Sequence, residues 1–99
     1  MKPVKQEHEA TIEMEAAARW YEEHAQGLGE RFYADFLEAR QFIQNNPELG
    51  VPFAHGTRKW NLRIFPYKII FKDLSDFILI IAVAHHSRRP NYWRQRLKS

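Results

Sequence analysis

The spacing at which apolar residues recur changes once along this chain, at Pro47, and that change restricts the fold to a helical front half and a stranded back half. From Glu9 to Ala25, Ile12, Ala16, Ala17, Trp20 and Tyr21 are spaced to share one helical face, with Glu13, Glu15, Arg19, Glu22 and Glu23 falling largely elsewhere. Gly27-Leu28-Gly29 ends this helix, because glycine accepts the left-handed conformation that closes a last turn. Phe32, Phe36, Ala39 and Ile43 form the stripe of a second helix, widened by Tyr33 and Leu37 and stopped by Asn45-Asn46-Pro47. So short a link predicts an antiparallel helix hairpin, with Trp20 and Phe36 in its core.

Beyond Pro47 the period is two. Trp60, Leu62 and Ile64 alternate with Asn61, Arg63 and Phe65, a strand closed by Pro66. In a second strand Tyr67, Ile69 and Phe71 face one way, and Lys68, Ile70 and Lys72 the other. Asp73-Leu74-Ser75-Asp76 turns into Phe77 to Ala84, eight apolar residues that read as a central strand covered on both faces. Lys2 to Glu7 reads as an edge strand on thin composition, and Arg89 to Lys98 as a short basic helix. The expectation is one α+β domain over residues 1–99: a helix hairpin packed on a small, mainly antiparallel sheet of three to four strands. Arg63, Lys68 and Lys72 then point away from the helices and leave the second face basic and partly open.

Composition narrows the function classes. The chain has 44% hydrophobic residues, with seven Phe, four Tyr and three Trp, which is too apolar for a disordered segment. No cysteine is present, which excludes disulfides, thiolate metal sites and a cysteine nucleophile. The longest apolar run is far short of the ~20 residues that span a bilayer, and the N-terminal residues lack a signal-peptide core, so a soluble cytoplasmic protein is expected. The formal charge of +3 hides an asymmetry: residues 1–50 carry five Lys/Arg against ten Asp/Glu, a net −5, and residues 51–99 carry ten against two, a net +8. The back half should therefore build a basic face suited to an acidic protein, a nucleic acid or a phosphate.

No nucleotide-binding glycine loop, zinc-protease or serine-hydrolase pattern is present. His85 and His86 are neighbours on a strand and point to opposite faces, which argues against a shared metal, and no metal or other cofactor is expected. Glu13, Glu22, Glu23 and Glu38 read as solvated helix faces. The chemistry-bearing cluster is His85-His86-Ser87-Arg88-Arg89-Pro90-Asn91-Tyr92, with Arg58, Lys59 and Arg63 from the first strand region. Imidazole, guanidinium and phenol groups around a phosphate are the inventory of metal-free RNA cleavage. They better suit a buried, hydrogen-bonded histidine at the end of the central strand, with Tyr92 and Trp93 packed and the arginines at a protein contact.

In order along the chain, Ala18-Arg19-Trp20-Tyr21-Glu22-Glu23, Gly27-Leu28-Gly29-Glu30-Arg31-Phe32, Asn46-Pro47, Arg63 to Phe71 with its Phe65-Pro66-Tyr67 junction, and Ala82 to Trp93 with Arg96 resemble the RelE/ParE toxin superfamily, specifically the ParE-like plasmid-stabilisation toxins. The resemblance covers roughly Glu9 to Arg96 and implies a type II toxin neutralised by a cognate antitoxin whose extended C-terminal segment wraps it. It implies a target that differs by branch: DNA gyrase for ParE-like members, or the ribosome and its mRNA for RelE-like nucleases. The nuclease branch points to Lys59, Arg63, His86, Arg88 and Tyr92 as catalytic candidates. The Phe-Pro-Tyr junction and the Arg-Pro-Asn-Tyr-Trp ending lie closer to the ParE-like branch, so the resemblance leans away from an enzyme and toward a protein-binding toxin. The target and antitoxin contacts are then expected among Arg58, Lys59, Arg63, Lys68, His85, Arg88, Arg89, Tyr92, Trp93, Arg94 and Arg96. An mRNA interferase on the same fold and an orphan binding module are the alternatives.

Overall fold

The computed structural model describes residues 1–97. Strand β1 (Val4–Gln6) leads into helices α1 (His8–His24) and α2 (Leu28–Asn45), followed by β2 (Val51–Pro52), β3 (Arg58–Asn61), β4 (Tyr67–Asp73) and β5 (Ile78–His85). The five strands form one sheet in the order β1-β5-β4-β3-β2, antiparallel except where β1 runs parallel to β5. The expected α+β layering is present, with one strand more than three to four because residues 51–52 add a short edge to β3.

The hairpin closes as its glycines predict. Gly27 sits at φ 84°, in the left-handed region. Gly29 answers to packing: a Cβ there would lie 2.5 Å from the carbonyl oxygen of Ala18, so any larger residue would force the two helices apart. The Glu22 carboxylate accepts from the Gly27 amide (3.0 Å) and the Gly29 amide (3.0 Å), supplying the acceptor that the start of α2 needs. Glu22 thus caps α2 while remaining exposed.

The main core lies between the hairpin and one sheet face, where Phe32, Phe36 and Ile43 meet Ile69, Phe71, Ile78, Ile80 and Val83, all buried. From α1 the inward residues are Ala10 and Ala17, flanked by Met14, Ala18 and Tyr21. Trp20, expected in this core, is 54% exposed, and Ile12 is 49% exposed. Small alanines let α1 lie close to the sheet, and the Ile12-Ala16-Trp20 stripe falls on the neighbouring face instead.

β5 is buried on both faces, and a bulge explains its unbroken apolar run. Ile70 pairs with Ala82 and Phe71 with Ile80, so Ile81 is the extra residue. Ile81 and Ala82 therefore both turn to the second face, where they join Ile70, Ala84 and Trp93 in a smaller core. Trp93, at 2% exposure, covers part of the face that was expected to be basic and partly open, and Lys59, Lys68 and His86 remain on that face beside it. The segment carrying it is not the expected basic helix from Arg89. Asn91 adopts φ 64°, and a 3₁₀ turn spans Arg94–Leu97, with Arg94 N–H donating to Asn91 C=O and Arg96 N–H to Trp93 C=O. Pro90 and the left-handed Asn91 break helical geometry so that Trp93 reaches the sheet while Arg96 reaches back toward α1. Lys98, placed in that helix by its sequence, lies outside the described residues.

Two side-chain clamps hold segments that propensity alone leaves weak. β1 is tied by Gln44 Nε2 to Lys2 C=O (2.8 Å), by Arg40 Nη2 to Val4 C=O (3.3 Å), and by the Lys2 ammonium to the Asp73 carboxylate. Between β3 and β4, buried Asp35 accepts from the amides of Arg63 (3.2 Å), Ile64 (2.9 Å) and Phe65 (2.9 Å). These amides are thereby withdrawn from the sheet, which ends the strand at Asn61 and not at Phe65. The alternation expected through Ile64 breaks there: Ile64 is 56% exposed and Phe65 turns into the core.

Candidate functional site

Beyond Ile80, β1 no longer accompanies β5, since Glu7 N–H bonds Ile80 C=O and the chain turns into α1. The outer edge of residues 81–85 is left to side chains. Glu13 of α1 accepts from the Val83 amide through Oε1 (3.0 Å), and Arg96 Nη1 donates to Ile81 C=O (3.1 Å). The two are joined by a fork: Arg96 Nη1 to Glu13 Oε1 at 2.9 Å and Nη2 to Oε2 at 3.1 Å. The Tyr92 hydroxyl donates to Glu13 Oε2 at 2.5 Å, and the Arg88 guanidinium stacks on the Tyr92 ring at 3.8 Å. Burial, reinforced by the bond to Glu13, raises the Tyr92 phenol well above its ordinary range. For Arg96, burial opposes the charge and the Glu13 carboxylate outweighs it, so the guanidinium stays firmly protonated.

Above this network an open groove of about 440 Å³ runs between α1 and the free end of β4 and β5. Ile12, Ala16, Trp20 and Tyr21 form its helical wall, Tyr67 and Val83 its floor, and His85 with Arg88 its basic end. Tyr67 and His85 pack edge to face at 5.1 Å, and Trp20 stacks on His24 at 3.7 Å, holding the indole out over the groove. Burial raises both the Tyr21 and the Tyr67 phenols, so both remain neutral hydrogen-bonding groups. The Ser87 amide donates to His85 Nδ1 (3.0 Å), fixing the ring at the end of the groove.

The residues expected to converge do not form one constellation. Arg63 lies on the helix side, paired with Glu38 across exposed surface at 3.3 Å. Arg58 donates to Gly50 C=O (2.7 Å) and serves the turn before β2. His85 faces the groove, whereas Lys59, Lys68 and His86 lie on the opposite face of the sheet, with Arg89 exposed beside them. Trp93 is core, Arg94 is exposed, and Arg96 is bound to Glu13. Among the described residues, no group of three or more His, Asp or Glu is placed to hold a metal.

Sequence reasoning missed Glu13 and the groove wall. Glu13 was read as solvated because its partners, Tyr92 and Arg96, lie about eighty residues away. A signal for the groove was present: Ile12, Ala16 and Trp20 repeat every four residues beside a second stripe of Ala10, Ala17 and Tyr21, which is more apolar width than one packing partner covers.

Residues 4–90 match the family model described as the ParE toxin of the type II toxin-antitoxin system, parDE. The chain belongs to the ParE toxin family. Its fold is similar to that of a solved chain from the chromosomal ParDE toxin-antitoxin system of P. aeruginosa, with a TM-score of 0.66 over 86% of this chain and 96% of that one, at 16% identity. No curated protein matches. In this ParE-family chain the matched stretch ends at Pro90, so Tyr92 and Arg96, which bind Glu13 of α1, and Trp93, which covers the other sheet face, lie beyond it. No helix among the described residues is long and apolar enough to cross a membrane.

Proposed function

We propose that this ParE-family chain arrests growth in the cytoplasm by binding DNA gyrase, and that a cognate antitoxin neutralises it by laying its C-terminal segment in the groove between α1 and β5. The observation that carries the reading is the groove itself. It is apolar along its walls, keeps a large aromatic 54% exposed at its rim, and ends in Arg88 and His85. An amphipathic segment with apolar anchors and an acidic end fits such a surface, and its ordering on binding is offset by burying Trp20 and Ile12.

The nuclease alternative draws less support from the same geometry. Proton transfer to or from RNA needs an available acid and base within reach of one phosphate. The Tyr92 hydroxyl is committed to Glu13, and Arg63 is held on the helix side by Glu38. The functional test is induction of the chain in growing cells with and without the adjacent open reading frame. Growth arrest that the neighbour relieves, together with co-purification of the two products, is the expected result. Early mRNA breakage after induction would favour the interferase.

A further inference from the structure

On the sheet face away from the helices, two lysines and a histidine are brought together by β3, β4 and the end of β5. Lys59 of β3 lies opposite Ile70, Lys68 of β4 lies opposite Ala84, and His86 follows β5. Lys68, His86 and Arg88 border a recess of about 120 Å³ floored by Ile70 and Ala84, with Trp93 and Phe53 as walls and Arg89 at its lip. At ~30 Å³ per water it has room for about four waters, or for one tetrahedral oxyanion.

Nothing in the described structure neutralises this charge. The ion pairs among the described residues use Lys2, Arg63 and Arg96, and none reaches Lys59, Lys68, His86 or Arg89. Residues 51–99 contain only two carboxylate side chains, Asp73 and Asp76, and Asp73 is taken by Lys2. The Lys59 ammonium instead sits over the Phe53 ring at 4.6 Å. Burial lowers the Lys68 ammonium, and Lys59 lowers it further. At His86 burial again leads, followed by repulsion from Lys68, His85 and Lys59. A fold that crowds like charges around a recess, with no internal counter-charge, leaves a site whose repulsion an incoming anion relieves.

We propose that this recess is a phosphate-binding site, in which Lys68, His86 and Arg89 hold the oxygens of one phosphate group and Lys59, on the neighbouring strand, adds its charge from beyond the Phe53 wall. Lysine ammoniums act there as point charges, and the Arg89 fork supplies paired N–H donors at the lip. The phosphate comes either free or from the backbone of a single-stranded nucleic acid. The site opens on the opposite side of the sheet from the antitoxin groove, with only Arg88 lining both among their charged residues, so it stands whether or not the gyrase reading does.

The test is a titration of the isolated chain with inorganic phosphate and, separately, with a short single-stranded oligonucleotide, followed through backbone amide shifts. Saturable shifts centred on Lys68, His86 and Arg89 are expected, weakened about tenfold or more in Lys59→Gln/Lys68→Gln and unchanged in Arg94→Gln. Tighter binding of the oligonucleotide than of phosphate identifies a nucleic-acid backbone as the source, and equal binding identifies free phosphate. Because the double variant removes like charges, its melting temperature should equal or exceed the parent's without ligand. Phosphate should raise the parent's melting temperature more than the variant's. Shifts spread over the whole basic surface, shifts equal in the double variant, or no response at all would overturn the proposal, as would a clear loss of stability in the double variant.

Discussion

Through one carboxylate, Asp35 terminates β3 and seats Phe65 at the same time. Asp35→Ala leaves three amides without their acceptor and should cost roughly 2–4 kcal/mol, measured by chemical denaturation. Glu13 is the second such residue. Its removal strands the part-buried Arg96 guanidinium, so Glu13→Ala should destabilise by about 2–4 kcal/mol, while Glu15→Ala, on the exposed face, should stay within ~0.5 kcal/mol. At Tyr92 the hydroxyl is structural in this account. Tyr92→Phe keeps the ring under Arg88 and leaves Glu13 its fork with Arg96, so toxicity should persist with about 1 kcal/mol lost. Toxicity abolished in a well-folded Tyr92→Phe chain would instead mark the hydroxyl as catalytic.

Among the elements, α1 carries the clearest prediction. Its Ala10-Ala17-Tyr21 face is core, and its Ile12-Ala16-Trp20 face is groove. Trp20→Ala should therefore change stability by less than ~1 kcal/mol yet weaken antitoxin binding about tenfold or more, read by calorimetry. Phe36→Ala, from a side chain 2% exposed, should cost about 3–5 kcal/mol and lose toxicity through unfolding. The two helices, the glycine turn between them and the doubly covered β5 were legible from the spacing of apolar residues. Which of two apolar stripes on α1 faces inward was not, because that choice depends on how closely alanines let the helix approach the sheet. Nor were the end of β3 and the role of Glu13, each decided by a bond between residues far apart in sequence. The basic cluster near the C-terminus was visible as composition. Its division between two faces of the sheet follows from strand alternation and from Trp93 folding under it, and only the first of these is local.

Across the whole molecule the acidic front half and the basic back half produce two separate surfaces: an apolar groove with a basic end beside α1, and a cationic recess behind the sheet. On the proposed function the antitoxin fills the groove and a protein target suffers the arrest, with charge complementarity steering both encounters. Charge reversal in Arg88→Glu/Arg94→Glu should thus abolish toxicity without unfolding the chain, since Arg94 is exposed and Arg88 contributes stacking only at the surface. The most direct measurement is supercoiling of relaxed plasmid by purified DNA gyrase as the chain is added. Dose-dependent inhibition that the co-purified antitoxin reverses is the predicted result. Full gyrase activity at concentrations of the chain that arrest growth in cells would contradict it.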